Sequence, residues 1–212
     1  MLGIGISIRL IKQNANAFKK INFIFYGTIL LGMFTVYLKP SLHTYIVDLI
    51  EKDLQSTSVG RYVARMYDEG HLYRAAASTF AVNVLVGSLL TVTLPSFIIP
   101  YSGLGLILYR TFLWGCFIAP PEKKAMIEAI PHFITLIIEG QAYVVAALPV
   151  LLHGRQSKVL YQTGGVKAWL RDGLGLHARA LPLVCAILFF AGIWEAYEVI
   201  HLLPPSAKKY GH

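Results

Sequence analysis

Glu139 lies deep inside IEAIPHFITLIIEGQAYVVAALPVLL, an apolar run from Ile127 to Leu152 that is long enough to cross a bilayer. Keeping a carboxylate at the centre of a spanning helix costs about 2.5–3.5 kcal/mol on insertion scales, so such a group is either paired or functional. Arg110, in the preceding apolar run, is the natural partner. It sits about 10 Å from one end of its run while Glu139 sits about 20 Å along the next, a difference that an arginine side chain bridges. Asn83, in an earlier run, is either an interhelical hydrogen-bonding group or part of a polar path.

A second set of titratable residues falls near helix ends. Glu128 and His132 are four apart, and Glu195, Glu198 and His201 follow one another at spacings of three, so each set presents carboxylate and imidazole on one helix face. Glu198-x-x-His201 has the spacing used by carboxylate-bridged di-metal bundles, which need the motif twice; it occurs once here. Interfacial helix-end residues are the plainer reading of Glu128, His132, Glu195, Glu198 and His201.

No glycine-rich phosphate loop follows a strand, and no nucleophile elbow is present. The expectation is therefore a non-enzyme, with no catalytic residue, cofactor or resident metal. A metal-dependent membrane enzyme would rest on the Glu/His set alone.

The elements that position these groups follow from composition. Of 212 residues, 56% are hydrophobic and 14% charged, and the mean hydropathy is +0.58. That balance predicts an all-α, polytopic integral membrane bundle. The net charge of +8 gathers beside apolar runs, where it sets orientation, so no nucleic-acid site is expected. Cys116 and Cys185 fall in apolar stretches without metal-ligand spacing.

Five spans are expected. Residues 1–20 read as a basic amphipathic segment and residues 21–38 as the first transmembrane helix, closed by Lys39-Pro40. Residues 39–74 carry balanced charge and helical periodicity, which predicts an extramembrane helical segment on the non-cytoplasmic side. Residues 75–203 form a four-span core whose third run is short and glycine-rich. Within it residues 153–179, with five basic residues against Asp172 and glycines at 154, 164, 165, 173 and 175, read as a cytoplasmic loop. The tail is 204–212. This arrangement puts a multi-pass protein in the cell membrane, its N-terminus cytoplasmic and its C-terminus outside.

AVNVLVGSLL around Asn83, the PYSGLG turn, IPHFITLIIEGQAYVVAA with Pro131, His132, Glu139 and Tyr143, and AGIWEAYEV with Glu195 together resemble the stage II sporulation protein M family. The resemblance covers about residues 75 to 200. Phe133 stands where the family has glycine and the carboxylate comes later, at Glu139, which marks a divergent member. The resemblance implies a non-enzymatic scaffold or accessory subunit of a larger membrane complex, with the lipid bilayer and either protein partners or further copies of itself as its contacts. The competing expectation is a small transporter or permease-like component using Glu139, Arg110, His132 and Asn83.

Overall fold

The computed structural model describes residues 3–119 and 130–203. Pro120, Pro121, Glu128 and residues 204–212 lie outside them. Among the described residues every element is helical: α1 (Ile4–Gln13), α2 (Ala15–Leu38), α3 (Ser41–Ser56), α4 (Ser58–Asp68), α5 (Leu72–Ser96), α6 (Ser102–Ile118) and α7 (Ile130–Leu202). Three of them, α2, α5 and α7, are long and apolar enough to cross a membrane. At 17 residues and about 26 Å, α6 lies at the lower limit for a span. Only 28% of the apolar stretch of α2 is buried inside the protein; Phe23, Leu30, Leu31 and Phe34 face outward, as lipid-facing side chains do.

α7 folds back on itself. Gly165, with φ 63° and ψ −165°, is its non-helical residue and divides it into arms 130–164 and 166–202. The expected 153–179 loop is thus helical on both sides of that one break. Gly154 and Gly173 stay in the helices where close packing against Tyr101 and His153 outweighs a propensity cost of about 1 kcal/mol each. Pro149 and Pro182 also sit inside the arms.

The division between α1 and α2 falls at Asn14 rather than near residue 20. The Asn14 side-chain amide donates to the Leu10 carbonyl and its backbone N–H donates to that of Ile11, which ends α1; Lys19 and Lys20 therefore belong to α2.

The described residues pack as two compact units. The first comprises Met1–Tyr26, Val82–Arg110 and Glu139–Leu188. Here α1 docks through Ser7, whose hydroxyl donates to the Arg179 carbonyl at 2.6 Å. The end of α5 joins α6 through Ser96, whose Oγ donates to the Val92 carbonyl and accepts from the Gly103 amide. Gly103 is required there, because a Cβ would lie 1.9 Å from the Val92 carbonyl oxygen. In the connecting turn Tyr101 adopts φ 69°, a left-handed conformation costly for a non-glycine residue, while its ring covers Gly154.

The second unit comprises Gly27–Ala81, Thr111–Ile138 and Phe189–His212. In it α2 and α6 meet backbone to backbone. A Cβ on Gly32 would lie 2.4 Å from the Phe112 carbonyl oxygen, and one on Gly115 2.2 Å from that of Ile29. Small residues of this kind let membrane helices gain dispersion contact over their backbones. Val36, Ile46, Cys116 and Ala119 continue that core onto α3. Replacing Gly115 with valine should separate α2 from α6 and cost about 1–3 kcal/mol, read as a lowered midpoint of thermal unfolding in detergent.

Helices α3 and α4 are joined at Thr57, whose hydroxyl caps α4 by accepting from the Gly60 amide. Gly70, at φ 69°, ends α4: its amide bonds to the Tyr67 carbonyl and that of His71 to Met66, closing a Schellman turn. Beside it, a hydrogen bond from Arg65 at 2.6 Å holds the Glu69 carboxyl below its ordinary range. What this pair adds to the helix end is present at neutral pH and lost as pH falls through that lowered value.

Candidate functional site

The buried polar groups fall into clusters that join helices. In the first unit the sequence residues Asn83, Arg110 and Glu139 converge on Tyr143. The Tyr143 hydroxyl faces Asn83 Oδ1 at 3.2 Å and Glu139 Oε1 at 3.3 Å, so one phenolic proton serves two acceptors. The Arg110 guanidinium lies over the Tyr143 ring, 5.6 Å from its centroid, in a cation–π arrangement. It is also close enough for its charge to act on Glu139. Arg110 and Glu139, which the sequence suggests as an ion pair, thus each meet Tyr143.

Local structure explains why Tyr143 fits. Asn83–Thr93 of α5 is π-helical, and Thr91 Oγ1 donates to the carbonyl five residues back, at Val86. In that wider turn Asn83 and Gly87, four apart, both reach Tyr143. A Cβ on Gly87 would lie 2.2 Å from the Tyr143 oxygen, so the glycine is the seat of the phenol. Tyr143 is fully buried, and Glu139 and Asn83 are 8% and 6% exposed. On the neighbouring face of α7, Gln141 Nε2 donates to Asn22 Oδ1 (2.8 Å) and to the Tyr26 hydroxyl (2.9 Å). Gln141 was visible in the apolar run, but its partners required knowing which face of α2 it meets.

The second unit contains the other expected residues. His132 Nδ1 forms an ion-pair contact with Glu198, and the Thr135 hydroxyl donates to the second oxygen of the same carboxylate. Glu198 is fully buried at the start of a π-helical turn, Glu198–Leu202. The pairing crosses between the two arms of α7, whereas the sequence spacing had suggested His132 with Glu128 and Glu198 with His201, each along one helix. Glu128 lies outside the described residues, Glu195 is half-buried, and the exposed His201 ring stands 5.2 Å from that of Tyr197. Among the described residues no three metal-ligating side chains group together. No protein-family model, curated protein or solved structure matches the chain.

A third cluster, unforeseen in the sequence, closes the turn of α7 in the first unit. His153 is buried, and its Nε2 donates to the Trp169 carbonyl at 3.0 Å. The Trp169 indole N–H donates to Ser157 Oγ, which itself donates to the His153 carbonyl. Phe97 stands 5.4 Å from the rings of both His153 and His177. His177 Nδ1 in turn meets the Thr93 hydroxyl at 3.2 Å. Gly173 has no side chain because His153 and Phe97 occupy that space. These residues look unremarkable in sequence, since only the fold-back at Gly165 brings positions sixteen apart into contact.

Most donors and acceptors of these clusters are bonded to a neighbouring helix, while Glu198 Oε1, which meets His132, and His177 Nε2 have no hydrogen bond of their own. Such groups fix which helix faces meet.

Proposed function

We propose that this protein is a non-enzymatic, five-span membrane scaffold or accessory subunit of a larger complex, a divergent relative of the stage II sporulation protein M family. The observation that carries the reading is the sealing of Glu139, Asn83 and Tyr143 between helices. Residues that would make a solute path are spent on holding α5, α6 and α7 together. The cavity described below is lined by none of them.

The topology is supported by charge. The basic segments are residues 1–20 and 153–179, and α1 is bonded to Arg179 in the second of them. Residues 39–74 are balanced, with five basic against five acidic residues. Under the positive-inside rule the basic segments are cytoplasmic and α3 and α4 lie outside, available to a partner. Tyr45, Leu49, Val59 and Tyr62 are exposed on those two helices.

Affinity purification of the tagged full chain from its native membranes tests this reading. A second protein at fixed stoichiometry, lost when Tyr62 and Val59 become aspartate, is expected. A homogeneous preparation of this chain alone would contradict it.

The second reading, a small transporter, draws on the long π-helical stretch that contains Asn83, because π turns recur at functional sites. Solute uptake into proteoliposomes abolished by Glu139→Gln would promote it over the first.

A further inference from the structure

A cavity of about 640 Å³ opens where the end of α5 meets the turn of α7, within the first unit. One wall is Phe97, Ile98 and Pro100; the other is built from the two arms of α7, including Lys158, Val166 and Trp169. Its volume is that of a small-molecule site. The Trp169 indole N–H is bonded to Ser157, a residue 8% exposed, so the tryptophan offers the cavity its apolar surface. Lys158 is exposed at the rim, and no ion pair among the described residues engages it.

The surroundings have the composition of a membrane–water boundary. Ile98 is 81% exposed and lies just beyond the apolar stretch of α5, and Tyr161 and Val166 also face outward. Arg155, Lys167 and Arg171 are exposed on the same turn of α7, where Asp172 is the single carboxylate of residues 153–179. Aromatic and aliphatic side chains interleaved with lysine and arginine mark a surface that meets anionic headgroups.

We propose that this cavity binds an anionic membrane phospholipid, with Lys158 on the phosphodiester and the upper acyl chain against Ile98, Pro100 and Val166. The uncompensated cation calls for an anion. The apolar walls call for an amphiphile, which separates a phospholipid from free phosphate. This site is distinct from the helix contacts on which the scaffold reading rests, so either stands without the other.

The test uses the full-length protein in nanodiscs carrying a photoactivatable phosphatidylglycerol, with labelled peptides identified by mass. Labelling is expected on residues 97–100 and 157–166, displaced by unlabelled phosphatidylglycerol and unaffected by phosphatidylcholine or inorganic phosphate. Lys158→Gln should lower it about fivefold, the worth of one basic contact at an anionic surface. Val166→Trp should lower it by filling the apolar wall while leaving every charge in place; both positions are exposed, so folding is preserved. Equal displacement by phosphatidylcholine, displacement by phosphate alone, or unchanged labelling in the two variants would overturn the proposal.

Discussion

Replacing His132 with alanine should destabilise the protein by about 1–3 kcal/mol, the cost of taking a partner from the buried Glu198 carboxyl when that partner is itself a third exposed. Glu198 is fully buried, and its carboxylate is engaged by His132 and Thr135. Without the imidazole, the Thr135 hydroxyl is left as the donor that this carboxylate keeps. The double substitution His132→Leu, Glu198→Leu should recover most of the loss, because exchanging both partners for apolar groups removes the desolvation cost along with the attraction. Thermal unfolding in one detergent, compared across the single and double variants, measures this. A single variant as stable as the parent would mean that the pair holds nothing together.

Tyr143→Ala should be more severe, about 3–5 kcal/mol, since it removes a fully buried aromatic side chain. Three consequences coincide: a cavity opens over Gly87, Arg110 loses the ring beneath it, and Asn83 and Glu139 lose a shared donor. Tyr143→Phe isolates the last of these. It keeps the ring and should cost about 1–3 kcal/mol for the two acceptors left without the hydroxyl. Adding Asn83→Leu to Tyr143→Phe should then be less damaging than the separate losses sum to, because the two residues share one contact. Unfolding midpoints of the three variants provide the comparison.

Both sites depend on information of different kinds. That Glu139, Asn83, Arg110 and His132 mattered was legible, because a polar residue in an apolar run stands out by its cost. How they pair was not. Helical periodicity relates residues three and four apart on one helix, so it joined His132 to Glu128 and Glu198 to His201. The observed partners His132 and Glu198 sit on opposite arms of α7, and the register between antiparallel arms is set by packing along their whole length.

The glycines of 153–179 misled for a related reason. Glycine signals a break when the backbone needs its conformational freedom, as at Gly165, but it also signals a close approach. Gly154 and Gly173 remain helical and make room for Tyr101 and His153. The π-helical stretch of α5 had no sequence mark. Its β-branched residues, Gly87 and Ser88 are ordinary in a membrane helix, and its purpose emerges only with Tyr143 against it.

The central claim is that the intramembrane polar residues are sealed helix contacts that hold a scaffold in shape. Labelling the protein in proteoliposomes with a water-soluble carbodiimide, and reading the modified peptides by mass, tests it most directly. The exposed carboxylate of Glu69 should react while Glu139 stays unmodified. Modification of Glu139 at a rate comparable to that of Glu69 would mean that water reaches the cluster, and would contradict the claim.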